Sequence, residues 1–300
     1  MKILVTGGSG FVGYRLCEKF ISAGHEVDFT YHLHACKIEG AQGHMADLSE
    51  KESAPALEEK HYEMIIHSAA LANVDFCEKN PQVAHKQNVV GTRNALLLAK
   101  KCGARFLYIS TSHVFPGGSK AYTENDVPRL EDIKYIYAKT KLQGELDTLS
   151  SGLHHLILRI DQPYYWAKEW QKDNTVTRTL KKLKNGEKIT EVEDWLNCPT
   201  FLPSFCSLAL ALAKKGPEGA FNAAGPEYLS RFSWAKKTAA VFDYGNEGIV
   251  PITASSLNLP VERPNVNLDS SRAYKLAGIE NAGIDAGLAQ MKKEQGKRTN

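Results

Sequence analysis

The 300-residue chain has no long hydrophobic run, and none of its apolar stretches approaches the roughly 20 residues that a membrane span needs. It carries little net charge. The formal balance of +3 is too small to argue for a nucleic-acid or membrane surface. The one dense basic cluster, KKEQGKR at 292–298, reads as a solvated, frayed end. The six cysteines (Cys17, Cys36, Cys77, Cys102, Cys198 and Cys206) include no C-x-x-C or other short metal spacing. Six in a chain of this length make no disulfide scaffold, so reduced thiols are expected. No internal repeat and no low-complexity segment is present. The apolar start is broken at once by Thr6-Gly7-Gly8 and does not read as a secretory signal. These absences point to a soluble cytoplasmic protein.

What is present is an alternation of strand and helix signals. KILVTG is a short apolar run ending in glycines, as a buried parallel strand does. Phe11, Leu16, Phe20 and Ile21 recur at helical spacing, and Gly24 stops that run. HEVDFTY, YEMIIHSAA, ARFLYIST and HHLILRI read as four further strands. Pro81 opens a helix running to about Lys101, ended by Gly103, and a second helix covers roughly Glu131 to Leu149. This order predicts an α/β fold: a Rossmann-type, doubly wound parallel sheet with ligands at the carboxyl ends of its strands. After Ile160 the rhythm breaks. The aromatic DQPYYWAKEWQKDN follows, then helical stretches at about 175–185, 204–215 and 231–243. The expected division is a dinucleotide-binding domain at 1–160 and a smaller substrate lobe at 161–300. Part of that lobe, about 219–245, is expected to pack back on the first domain.

The turn after the first strand carries two overlaid glycine patterns. Gly8, Gly10 and Gly13 read G-x-G-x-x-G, whereas Gly7, Gly10 and Gly13 read G-x-x-G-x-x-G. In such turns one glycine permits the tight bend, one lets the backbone approach a pyrophosphate, and one lets helix and strand pack closely. The pyrophosphate then sits at the positive helix N-terminus. At the end of the second strand, where an NAD site usually carries an acid, spacing places Tyr31. His32, His34 and Lys37 follow and suit a 2′-phosphate, which favours NADP with NAD as the alternative.

Further on, KYIYAKTKLQGE contains Y-x-x-x-K twice, as Tyr135/Lys139 and Tyr137/Lys141. Residues four apart share a helix face, and two pairs offset by two residues cannot face one cofactor. Tyr135 falls beside the stripe of Ala138, Leu142, Leu146 and Leu149 and reads as packing. Tyr137 and Lys141 share a face with Gly144 and Thr148, which favours them without excluding the other pair. Reducing a ketone needs a proton on the developing alkoxide. A nearby ammonium lowers a phenol's pKa and makes it a better exchange partner. Upstream, Ser110, Thr111 and Ser112 end a strand at the ligand edge.

With these motifs in order, the chain resembles the extended short-chain dehydrogenase/reductase family and, within it, the dTDP-4-dehydrorhamnose reductases and their relatives. The resemblance rests on TGGSGFVG, ADLSE, AALANVDFCEKNP, NVVGTRN, YISTSHVFPGG and YAKTKLQGE, with FNAAGPEYLSRFSWA and RPNVNLDSSRAYKLAGI further on. It implies the Gly7/Gly10/Gly13 register, with Gly8 a permissive extra and Phe11 and Val12 at the helix start. It also implies adenine contacts at Asp47 and Leu48, and backbone contacts at Ala69 and Ala70. Asn88 is implied near the active site. The implied catalytic set is Thr111, Tyr137 and Lys141. The implied activity is NAD(P)H-dependent reduction of a keto group on a nucleotide sugar, in dTDP-rhamnose biosynthesis.

The departures lie on the substrate side. Gln162 stands where the reductases carry a sugar-packing Trp, Ser112-His113 replaces Asp-Tyr after the catalytic Thr, and Pro116 replaces the Asp of F-D-G. The first helix, GYRLCEKF, gives no reason to expect the metal-bridged dimer of part of the family. No metal is expected, and a homodimer stays open. The alternatives are a nucleotide-sugar epimerase and a catalytically silent NADP-binding regulatory subunit.

Overall fold

A computed structural model describes residues 1–50 and 55–298. The chain begins with β1 (Lys2–Thr6), α1 (Phe11–Ser22), β2 (Glu26–Tyr31), β3 (Ala41–Met45), α2 (Pro55–Glu58) and β4 (Met64–His67). Next come α3 (Val74–Lys79), α4 (Pro81–His85), α5 (Gly91–Cys102), β5 (Arg105–Thr111), β6 (Ala121–Tyr122), α6 (Ile136–Leu149) and β7 (His155–Ile160). Then follow α7 (Thr175–Lys184), β8 (Ile189–Val192), β9 (Leu196–Asn197), α8 (Leu202–Lys215), β10 (Gly219–Asn222) and β11 (Leu229–Ser230). The last elements are α9 (Arg231–Val241), β12 (Ile249–Ile252), β13 (Asn267–Leu268), α10 (Ser271–Ala277) and α11 (Ile284–Arg298).

Seven strands make one parallel sheet in the order β10-β7-β5-β4-β1-β2-β3. Both of its faces are covered, and for that reason its central strands read as continuous apolar runs. Ile3, Val5, Leu107 and Ile109 pack on one face with Leu16 and Phe20 of α1 and Leu202 and Phe205 of α8. Leu4, Phe106 and Tyr108 pack on the other with Ala95, Leu96 and Ala99 of α5. β10 lies beside β7, whereas α9 rests against α7 and α11. The smaller elements pair as β8 with β12, β9 with β11 and β6 with β13. Tyr164, Trp234, Leu288 and Met291 centre a separate cluster among α7, α9 and α11. Among the described residues no helix is long and apolar enough to cross a membrane.

Three details depart from the periodicity. β3, the sheet's edge, was not expected because AQGHM carries neither an apolar run nor alternation. It pairs with β2 through its backbone, and Gly43 lies over the Phe29 ring, where a Cβ would stand 2.7 Å from Cζ. The helix expected from Pro81 is one helical run, but it widens into a π turn at Lys86–Val90 before α5, and Gly103 ends it at φ +66°. α6 begins at Ile136 rather than near Glu131. Tyr135 stays extended as its N-cap, and Glu78 Oε2 accepts the Ile136 N–H at 3.0 Å, satisfying one exposed donor of the first turn.

Candidate active site

Parallel strands bring their carboxyl ends to one edge, so the turns after β1, β2, β4, β5 and β7 meet there. The turn after β1 is built on absent side chains. At Gly7, φ is +66° and a Cβ would stand 2.7 Å from the Ala69 backbone, beyond β4. At Gly13 a Cβ would lie 2.3 Å from the Gly7 carbonyl oxygen, so α1 packs directly on the turn. Gly8 is not a permissive extra. A Cβ there would meet Phe29 Cβ at 2.5 Å, and the Gly8 N–H donates to the Thr30 carbonyl at 2.8 Å. Gly10 caps α1 without a side-chain acceptor, so the first-turn N–H groups at Phe11, Val12 and Gly13 have no cap. An uncapped helix start beside empty Cβ positions fits a dinucleotide pyrophosphate. From the aromatic segment after β7, Trp170 Nε1 donates to the Ser9 carbonyl at 3.0 Å, and Gln171 Nε2 donates to the Ser9 and Gly10 carbonyls.

Beyond β2 and β3, His32 Nε2 lies 3.7 Å from Asp47 Oδ2. Tyr31 ends β2 and pairs in register with Met45 of β3. Burial pushes the Asp47 carboxyl up, but bonds from the Ser49 hydroxyl and N–H outweigh it and hold it below its ordinary range. The Leu48 carbonyl accepts from Asn94 Nδ2 at 2.8 Å, pinning this turn to α5. An acid therefore does stand beside the end of β2, but it comes from the turn after β3.

Thr111 ends β5 beside the Tyr137 phenol of α6, and its hydroxyl pulls that phenol's pKa down. Tyr135 is not on the helix. It lies in the core with Ala138 and Leu142, bonded to His113 Nδ1, and its spacing partner Lys139 points to solvent. The stripe continues differently from its sequence pattern, because Leu146 and Leu149 are 36% and 47% exposed. α6 instead buries Lys141, Gly144, Glu145 and Thr148 against β5. There Glu145 pairs with Arg159 at 2.7 Å and accepts from the Ser110 hydroxyl.

Burial is the largest influence on both members of the spacing pair. Burial raises Tyr137 to about 12, partly offset by Thr111, and burial lowers Lys141 to about 7 against the pull of Glu145. Its Nζ donates to the Ile109 carbonyl at 2.7 Å and lies 4.0 Å from the centre of the Tyr108 ring. Desolvation disfavours the charged form of each group, raising the phenol and lowering the ammonium.

Asn88 sits in the π turn and is 1% exposed. Its Oδ1 accepts from Leu71 N–H at 2.7 Å, and its Nδ2 donates to the Leu71 carbonyl and Thr140 Oγ1. It thus ties the loop beyond Ala69 and Ala70 to α6. His67, at the end of β4, bonds Thr6 and Thr92 with its two ring nitrogens, and burial, then Lys141, keep it neutral with a pKa lowered to about 3.

Other groups come from outside the motifs. Asp161 follows β7, is 3% exposed, and accepts from Ser112 Oγ and Cys198 N–H. His113 is held neutral by burial and by the Arg263 charge, which lower it to about 4. Arg231 and Arg263 approach the Trp195 ring at 5.0 and 5.9 Å, and Arg263 Nη2 reaches Asp75 Oδ1 of α3 at 2.5 Å. No local spacing signals these arrangements. Gln162 adopts φ +36° next to Asp161, a left-handed conformation unusual for a side-chain-bearing residue.

The sheet, its glycine turn and the Thr–Tyr–Lys constellation define a Rossmann-type protein of the extended short-chain dehydrogenase/reductase class. Within that class, the chain belongs to the RmlD substrate binding domain family, matched over residues 1–296. It is 27% identical over 285 residues to methionine adenosyltransferase 2 subunit beta of Rattus norvegicus, covering 92% of this chain and 82% of that one. It is 28% identical over 280 residues to the spore coat polysaccharide biosynthesis protein SpsK of Bacillus subtilis, covering 93% and 92%. Its fold matches dTDP-4-dehydrorhamnose reductase from Bacillus anthracis, solved in complex with NADP, with a TM-score of 0.85, 22% identity, and coverage of 98% and 99%.

Proposed function

We propose that the protein is an NADP-dependent oxidoreductase that reduces a keto group on a nucleotide sugar, with Thr111, Tyr137 and Lys141 as its catalytic set. The observation that carries this reading is the placement of the Thr111 hydroxyl beside the Tyr137 phenol, one helical turn from buried Lys141. When bound, the dihydronicotinamide supplies the hydride to the carbonyl carbon. Tyr137 donates its proton to the carbonyl oxygen as charge develops there. Thr111 holds the phenol and orients that oxygen, its own Oγ1 accepting the His113 N–H at 3.3 Å. Lys141, once beside an anionic ligand, regains its ammonium form and favours proton release from Tyr137. Gly7, Gly10 and Gly13 hold the pyrophosphate side, with His32, Asp47 and Leu48 toward the adenine. The absence of an acid at Tyr31 and the NADP in the B. anthracis structure support NADP over NAD.

The test is NADPH oxidation with dTDP-4-dehydrorhamnose and a panel of keto-sugars. Expected is substrate-dependent oxidation that Tyr137→Phe reduces at least 100-fold, while Tyr135→Phe stays within tenfold of wild type. Interconversion of sugar epimers without net NADPH loss would replace this reading with an epimerase. A second reading, a catalytically silent NADP-binding subunit of another enzyme, is favoured by the likeness to methionine adenosyltransferase 2 subunit beta. Tight NADPH binding with no turnover on the whole panel would select it.

A further inference from the structure

Asp161 is a buried carboxylate that the proposed chemistry does not use. It stands one residue beyond β7, beside the strand that ends in Thr111. Two separated pieces of chain converge on it. Ser112 Oγ donates to Oδ1 at 2.9 Å from the turn after β5, and Cys198 N–H donates to Oδ2 at 2.7 Å from the strip beyond β9. Thr200 closes the same joint on the backbone: its Oγ1 accepts the Asp161 N–H at 3.0 Å, and its own N–H donates to the Asp161 carbonyl at 2.8 Å. Ser112 is covalently next to Thr111, so a backbone shift at Ser112 is carried to Thr111.

We propose that Asp161 is a positioning residue: its two carboxylate oxygens lock the Thr111–Ser112 end of β5 to the 198–200 strip and so hold Thr111 on Tyr137. This rests on the reading of Thr111 and Tyr137 given above. A proton on Oδ2 would meet the Cys198 N–H, which can only donate, and a proton on Oδ1 would force the Ser112 hydroxyl to turn from donor to acceptor. This bonding is therefore that of the anion.

Among the described residues Asp161 has no ion-pair partner. Its titratable neighbours are Cys198, Tyr228, and Tyr135 and Tyr137 at the start of α6, all of them neutral at pH 7. Ser112 and His113 complete the surroundings from the β5 side, with Arg263 beyond His113. Burial raises the carboxyl to about 6, against the opposing bonds from Cys198, Ser112 and Gln162. The clamp thus loosens as pH falls through about 6. Its charge also raises Tyr137, which favours the protonated, donating phenol.

The test compares full-length wild type with Asp161→Asn and Ser112→Ala. Expected for Asp161→Asn is a 10- to 100-fold loss of kcat with KM within threefold. The acid limb near pH 6 in the wild-type kcat profile should be absent from it. Ser112→Ala should lose three- to tenfold in kcat and keep the limb. The second readout needs no turnover. The Tyr137 Cζ resonance in 13C-tyrosine-labelled protein, assigned with Tyr137→Phe, should titrate at lower pH in Asp161→Asn than in wild type. NADPH affinity within threefold of wild type shows that the variant is folded. If wild type oxidises no NADPH but the resonance still responds, the functional reading fails and the clamp stands. If kcat, the acid limb and the resonance are all unchanged in Asp161→Asn, the clamp is refuted.

Discussion

Gly144→Ala should destabilise a helix that alanine would ordinarily improve. On an exposed helix the change gains about 1 kcal/mol in backbone terms. Here the new Cβ would lie 2.2 Å from Tyr108 Oη and 2.7 Å from its Cζ. Tyr108 cannot easily move. It is fully buried, stacked on His67 at 5.8 Å, and its hydroxyl donates to the Lys141 carbonyl at 3.3 Å. Overpacking of this kind costs about 1–3 kcal/mol, and losing the hydroxyl's bond about 1 kcal/mol more. The net is a loss of about 2 kcal/mol, or a fall in Tm of roughly 3 °C for a chain of this size. Activity should suffer as well, because the displaced ring is the one under Lys141. Urea unfolding followed by far-UV circular dichroism measures the first effect, and steady-state kcat the second. Tyr108→Phe combined with Gly144→Ala removes the atom in the closest contact, so the pair should be less destabilised than the sum of the single changes. A Gly144→Ala protein as stable as wild type would refute the reasoning, because Tyr108 would then be free to yield.

The other expectations follow from the buried charges. Lys141, lowered to about 7, should take up roughly half a proton or more when NADPH binds at pH 7.5. Titration calorimetry in buffers of different ionisation enthalpy would show it, and Lys141→Met should abolish it. Asp161 has a folded-state pKa of about 6 against an ordinary value of 3.8, so its contribution to stability falls as pH rises from about 4 to 6. That is at most about 3 kcal/mol at neutral pH, and Asp161→Asn should lack this slope in the difference between the two unfolding-versus-pH curves. Glu145→Ala leaves Arg159 buried and unpaired and should lower stability by about 3–5 kcal/mol, whereas Glu145→Leu with Arg159→Met should be far milder in the same urea assay.

Much of the frame is legible in single residues. The apolar run at 2–6, Gly7 and Gly13 in the turn, and Gly103 as the helix stop each state a local requirement that the structure meets. The separation of Tyr137 from Tyr135 is also legible, although Tyr135 avoids the helix altogether as its N-cap. These signals are local because strand burial, tight turns and helix ends are set by a residue's own conformation and its near neighbours.

What periodicity missed depends on partners far along the chain. The edge strand β3 exists because β2 offers it a backbone ladder, so AQGHM needs no strand-like side chains. Gly8 is required because Phe29, from another strand, occupies its Cβ position. Leu146 and Leu149 face outward because the charged pair of Glu145 and Arg159 holds the other face of α6 to the sheet. From its sequence alone, the chain determines a parallel α/β fold with a glycine-rich turn after its first strand and a Tyr–Lys helix. Only the tertiary structure decides that Lys141 is desolvated over the Tyr108 ring with its Nζ on the Ile109 carbonyl. The same holds for the joining of Asp161, Ser112 and Cys198, because charge states and buried hydrogen bonds depend on which distant groups displace water from each other.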